Sequence, residues 1–265
     1  MPGMDHASAA SPSTAAMPGM DADDMPAGDG LTATRSGLTF VPASTSLAAG
    51  AARSFAFQIR GDDGKAVTEF ADDQTKRMHF YLIRSDLTGF QHLHPTVAAD
   101  GTWTAPVAAL QPGTYRVYAS FIARDMTGKQ TPLVLSDTIT VPGNTTTIPL
   151  PPATTSTQVD GYTLTLAGTE LMATMTHTLT VTVSRDGTPA TDLQPYLDTY
   201  AHLTAFHDGD LAFAHLHPQG HADGDHGGPT LTFAAMLPRP GNWRLFLQFQ
   251  TGGTLHTAAL TLTIR

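Results

Sequence analysis

From Leu31 to the C-terminus, apolar and polar side chains alternate in short bursts, and Gly, Pro and Asp separate the bursts. "RSFAFQIRGDDGKAV" (53–67), "RMHFYLIRSDLTGFQHLHP" (77–95), "PGTYRVYASF" (112–121) and "SDTITVP" (136–142) are typical. Period-two alternation rich in Val, Ile, Thr and aromatics predicts half-buried strands, and the turn residues predict where they end. No segment carries the 3.6-residue period of an amphipathic helix. Strand follows strand with a turn signal every 8–12 residues or so, the pattern of an immunoglobulin-like sandwich.

The pattern also repeats. Aligning His79 with His202 brings His92 onto His215, His94 onto His217 and Pro95 onto Pro218 without a gap. Upstream, "QIRGDDGKAV" falls on "TVSRDGTPA". Downstream, "LQPGTYRVYASF" matches "PRPGNWRLFLQF", and "DTITV" matches "ALTLTI". The second copy differs mainly by a longer loop, "QGHADGDHGGPT". A duplication on this scale predicts two tandem β-sandwich domains, over residues 31–141 and 158–265. The Pro- and Thr-rich residues 142–157 between them read as a linker, with a short strand near Ile148. Residues 1–30 hold almost no aliphatic or aromatic side chain and read as a disordered tail.

Composition narrows the chemistry. The chain has 265 residues, a formal charge of −9 and no cysteine. No basic patch is visible to neutralise phosphates, which argues against nucleic acid as a partner. Without thiols there are no disulfides, no Fe–S clusters, no cysteine zinc sites and no blue-copper centre, which needs a Cys ligand. No apolar run reaches the ~18–20 residues of a membrane-spanning helix. The N-terminal stretch lacks the basic and apolar regions of a signal peptide, so an exported form would have lost its targeting segment.

Twelve histidines remain, and their placement is uneven. In a strand, "HLH" puts both imidazoles on one face and the leucine on the other. With "SDLTG" as a turn, "MHFYLIR" and "FQHLHP" form a hairpin. If paired positions sum to 173 or 171, His79, His92 and His94 share a face; a one-residue slip scatters them. "YAHLTAF", the turn "HDGD" and "LAFAHLHP" treat His202, His215 and His217 alike. Cross-strand neighbours at about 4.5–5.5 Å let three imidazoles converge on one ion, and three histidines with an open fourth position suit copper or zinc. The competing reading is structural: a lone strand histidine is more often hydrogen-bonded than metal-bound. Retention of all three in both copies, while Arg84 and His207 or Gln91 and Ala214 diverged, favours the metal. His256 is a further candidate ligand. His207, His221 and His226 sit at turns, and Met172, Met175 and His177 read as strand residues packed in a core. Asp86, Asp208 and Asp210 read as turn formers, which leaves a metal-dependent hydrolase or oxidase without a general base.

The tail bears on the metal. "MPGMDH" and "MPGMD" place Met4, His6, Met17 and Met20 in a segment with no core to pack, and thioethers are soft ligands that select Cu(I). This tail resembles the Met/His/Asp-rich segments of bacterial periplasmic copper-resistance proteins. "DLTGFQHLHPTVAADGTW" and "GDLAFAHLHP…PGNWRLFLQFQTGGTLHTA" are similar to a group of exported, often actinobacterial, proteins with tandem β-domains. The resemblance spans roughly residues 55–265 and implies an extracytoplasmic protein, periplasmic, secreted or lipid-anchored, associated with copper handling. The leading expectation is a copper-binding protein, not an enzyme, that buffers the ion or hands it to another copper-handling envelope protein; the alternative is a structural or interaction module whose histidines brace the hairpins. The resemblance also implies one three-histidine site per half: His79, His92 and His94 in the first, and His202, His215 and His217 in the second.

Overall fold

A computed structural model describes residues 28–124 and 127–265. All the regular structure is β, and no helix occurs among the described residues. The first half contains β1 (Thr34–Arg35), β2 (Leu38–Pro42), β3 (Arg53–Gly61), β4 (Phe70–Ala71) and β5 (His79–Arg84). It continues with β6 (Gln91–Leu93), β7 (Thr96–Val97), β8 (Thr102–Val107), β9 (Gly113–Arg124) and β10 (Gln130–Val141). The second half contains β11 (Ser156–Val159), β12 (Tyr162–Ala167), β13 (Thr176–Arg185), β14 (Thr188–Pro189) and β15 (Ala201–His207). It ends with β16 (Phe213–Pro218), β17 (Thr230–Met236), β18 (Gly241–Thr251) and β19 (Thr254–Ile264).

Each half is an antiparallel sandwich of the immunoglobulin-like kind. In the first, a β1-β2-β3-β8-β7 sheet packs on a β10-β9-β5-β6 sheet that also carries β4 on β9. The aromatic rings of Phe40, Phe55, Phe57, Phe80 and Trp103 fill the space between them. In the second, the two layers join through β16, giving the order β11-β12-β13-β17-β16-β15-β18-β19. Its core is leaner in aromatics, built from Leu and Val around Trp243 and Phe249.

The outward faces of the two long sheets are not left to water. Every residue of β5 is buried, and so is nearly every residue of β15. Phe80 and Leu82 turn into the first domain's own core, while Tyr81 and Ile83 face the second domain. There they join Tyr118, Val134, Phe206, Phe213 and Phe246 in a third apolar cluster. Phe90 stacks on Phe246 with ring centroids 4.1 Å apart. Burying one such ring is worth about 1.5–3 kcal/mol, so this cluster locks the two domains face to face.

Residues 28–30, assigned to the tail from sequence, belong to this contact. The Asp29 carbonyl accepts from the Phe213 amide, and its carboxylate pairs with Arg239 of the second domain. The Gly30 carbonyl accepts from Ser136 and the Leu31 carbonyl from Arg116, both in the first. Gly30 has φ of 65°, and a Cβ there would lie about 3.0 Å from Tyr118 and Val134 and 3.1 Å from Phe213, so only glycine passes between the domains. The segment between β10 and β11 has no strand near Ile148. Instead the Ile148 amide donates to the Asp86 carboxylate.

Candidate metal centre

The two hairpins set the histidines. In the first, Tyr81 pairs with His92 and Phe80 with Leu93, the register whose positions sum to 173. In the second, Thr204 pairs with His215 and Leu203 with Leu216. His79 therefore lies across from His94, and His202 across from His217, each triad on the face turned toward the other domain. The turn of the first hairpin is held by Asp86, which accepts from Arg84, from Thr88 and from Ile148. In the second, His207 and Arg239 bond Asp210, so the acids near the motifs serve turns.

The sequence assigns one site to each half; the structure merges them. His94, His92, His202, His215 and His217 form an unbroken series with successive ring centroids 4.7, 4.6, 4.5 and 4.6 Å apart. His79 sits beside the series, 5.1 to 5.5 Å from His94, His92 and His202. The equivalent His79 and His202 rings are parallel within 3°. Domain packing produces this: the face that carries each triad is the face each domain buries.

The hydrogen bonds sort the ring nitrogens into outer and inner ones. His79 Nε2 lies 3.0 Å from the Asp73 carbonyl oxygen, which can only accept, so this nitrogen carries a proton. His92 Nδ1 lies 2.7 Å from Gln248 Oε1, and His202 Nδ1 lies 2.9 Å from Gln74 Oε1. Each ring thus donates outward to a carbonyl-type oxygen, the arrangement that orients a metal-binding imidazole. The remaining lone pairs, on His79 Nδ1, His92 Nε2 and His202 Nε2, point inward. Ligand atoms of these three rings all lie within 4.8 Å of one another. The first two face each other at 3.0 Å, and Tyr81 donates its hydroxyl to the third at 3.0 Å.

The two copies differ in the residue that stands beside the first histidine of each triad. Gln248 pairs with His202 in the sheet, and its counterpart Ser120 pairs with His79. The glutamine reaches across to His92. A serine is too short to do the same for His215, which is 4% exposed and has no hydrogen-bond partner on either nitrogen.

Burial is the main cause that holds the imidazoles of His79, His92, His202 and His215 below the usual histidine range, followed for the last three by charge repulsion from neighbouring histidines. His94, less deeply buried, is lowered to about 3 by burial and by the charges of His79 and Lys76. The rings are therefore neutral, which is the form that binds metal.

Other candidates lie elsewhere. The structure does not bring His256 to the row: it is buried between the Asp160 carboxylate at 2.8 Å and the Thr251 hydroxyl at 3.0 Å, near the β18–β19 turn. His221 bonds Asp198 at the surface, and His226 is exposed. Met172 and Met175 are about half exposed, at 53% and 50%, and do not pack in a core. Met4, His6, Met17 and Met20 lie outside the described residues.

Sequence reasoning did not find Tyr81, Gln74, Gln248 or the Asp73 carbonyl. Gln248 carried a signal, being a lone amide among apolar residues in "RLFLQF".

A family model matches the chain twice, over residues 33–135 and 157–265, and its description is a domain of unknown function, DUF8832. The chain belongs to the DUF8832 family. Both matched segments contain one complete histidine triad, so the histidine cluster lies between two DUF8832 domains. No curated protein matches the sequence. Among solved structures, the chain is similar to FdeC, an Escherichia coli adhesin, at 15% identity and a TM-score of 0.27, covering 86% of this chain and 64% of that one. Salmonella alpha-2-macroglobulin is 12% identical over 94% of this chain and 16% of that one, with a TM-score of 0.28. A DUF4785 family protein of Legionella pneumophila is 14% identical over 83% of this chain and 53% of that one, with a TM-score of 0.27. The chain spans less than two thirds of the length of each of these three. Among the described residues no helix is long and apolar enough to cross a membrane.

Proposed function

We propose that this DUF8832 protein is an extracytoplasmic, non-catalytic metal-binding protein that holds copper between its two domains and buffers it or passes it on. One observation carries the reading. With protons assigned by the outer oxygens, His79 Nδ1 and His92 Nε2 present two bare lone pairs to each other at 3.0 Å. Two acceptors at that distance repel unless a cation lies between them. Bonds of about 2.0–2.1 Å to both nitrogens would enclose roughly a right angle, which suits square-planar copper(II) better than tetrahedral zinc. The Met-bearing tail supports copper over zinc from a different part of the chain.

Elemental analysis tests this directly. Protein prepared without a histidine tag and exposed to copper and zinc together should retain copper at one ion per cluster. His79→Ala and His202→Ala, one in each domain, should each remove the same equivalent. If the two losses are independent and additive, the domains hold separate sites and the shared centre is wrong.

A second reading is favoured by one feature of the same contacts. A half-turn of the Gln248 carboxamide would let it donate to His92 Nδ1, and His92 Nε2–H would then donate to His79. The row closes without an ion, and the histidines would brace the domain contact in a structural module of the cell envelope. Retention of neither copper nor zinc in the same experiment selects this reading.

A further inference from the structure

A pocket of about 380 Å³ opens on the surface beside the histidine row, and its wall includes His215, Met236, Phe213, Asp29 and Gly28. It is the outer approach to the one ring of the row with two unpartnered nitrogens. Met236 is 38% exposed, one of few large apolar side chains left in water. β16 and β17 pair His217 with Ala234 and Pro218 with Phe233, and the ladder ends there: at His215, β16 has crossed to β15 and pairs with Thr204. His215 and Met236 lie just beyond the end of that ladder, and both line the pocket. A thioether and a buried, neutral imidazole therefore share one pocket.

Phe213 supplies an apolar wall, and the Asp29 carboxylate is taken up by Arg239. The pocket thus offers a soft sulfur and an imidazole nitrogen while its nearby hard oxygen ligand is occupied. That donor set discriminates against zinc, calcium and magnesium and in favour of Cu(I).

Gly28, the first of the described residues, forms part of the wall.

Building on the copper reading above, we propose that Met236 and His215 form a Cu(I) site at the mouth of this pocket, through which the ion passes to the inner histidines. The site differs from the His79–His92–His202 centre in its ligands, its exposure and the oxidation state it selects.

The test uses the full chain and Met236→Leu, a change that keeps volume and removes sulfur, with thermal unfolding to confirm that the fold is unchanged. Cu(I) affinity is read by competition with a chromophoric Cu(I) chelator, and sulfur in the copper shell by X-ray absorption. Met236→Leu should lose the body's sulfur contribution and weaken Cu(I) binding tenfold or more, while copper(II) and zinc uptake by the inner histidines stays unchanged. A second variant, with Met4, Met17, Met20 and Met25 all changed to Leu, should keep a sulfur ligand. Unaltered Cu(I) affinity in Met236→Leu, or loss of all sulfur in the tail variant, overturns the site. If the unaltered protein takes up copper(II) or zinc but binds Cu(I) without sulfur, this inference falls and the inner centre stands. If it takes up no metal in any state, both fall.

Discussion

At the scale of single residues, the six histidines are not equivalent, and the difference comes from what each ring touches. His92 donates to the Gln248 carboxamide oxygen, so removing it leaves a buried polar group without its partner. His215 bonds nothing, because Ser120 stands where a second glutamine would have reached it. An unpaired buried donor or acceptor costs about 1–3 kcal/mol, whereas replacing an already unpaired group by an apolar one of similar size is near neutral or stabilising. In metal-free protein, His92→Leu should therefore destabilise by about 2 kcal/mol, and His215→Leu should leave the urea midpoint unchanged or raise it. A loss at His215 as large as that at His92 would mean that His215 braces the fold and is not held ready for a ligand.

At the scale of elements, the β5–β6 hairpin and its turn decide whether the triad faces one way. Leu87 adopts a φ of 62° in that turn, and Asp86 ties the turn to Arg84, Thr88 and the Ile148 amide. The Arg84–Asp86 pair is almost fully buried, so breaking it by Asp86→Ala strands a guanidinium and should cost about 3 kcal/mol. Hydrogen bonds from Arg84, Thr88 and Ile148 overcome the effect of burial and hold the Asp86 carboxyl well below the ordinary carboxylate range. The sign follows. The folded state binds this proton less readily than the unfolded chain, whose value is near 3.9, so the stabilisation is complete above that pH and drains away as the pH falls below it. Unfolding curves between pH 6 and pH 2 should show a steeper acid loss in the native sequence than in Asp86→Ala; parallel curves would remove Asp86 from the account. This register was legible in the sequence, because only one pairing parity puts three imidazoles on one side. The turn's grip on the interdomain segment was not, since Ile148 lies 62 residues from Asp86 along the chain and no local pattern links the two.

At the scale of the whole molecule, the duplication and both sandwiches could be read from the repeat, but the meeting of the two triads could not be read from either copy alone. The clue was in β5, "HFYLIR", which sets Phe80 and Leu82 on one face and Tyr81 and Ile83 on the other where a sheet with one wet side would alternate; β15, buried just as fully, hid it behind His202 and Thr204. A strand buried on both faces needs a second layer, and here that layer is the other domain. The histidine cluster and the Phe90–Phe246 contact are consequently two parts of one interface, and, on the proposed copper reading, each should report on the other. Phe246→Ala removes a stacked ring about 3–5 kcal/mol in worth without touching any histidine. If a fraction f of the molecules then keeps the domains docked, the apparent dissociation constant for metal rises by 1/f, and metal in turn draws the population back to the docked form. Solution scattering on metal-free Phe246→Ala should give a larger radius of gyration than the native sequence, shrinking to the native value when copper is added, with weaker affinity measured alongside. Native affinity in a protein whose domains have visibly separated would show that each triad binds by itself, and that burial of the two histidine sets against one another serves the domain contact alone.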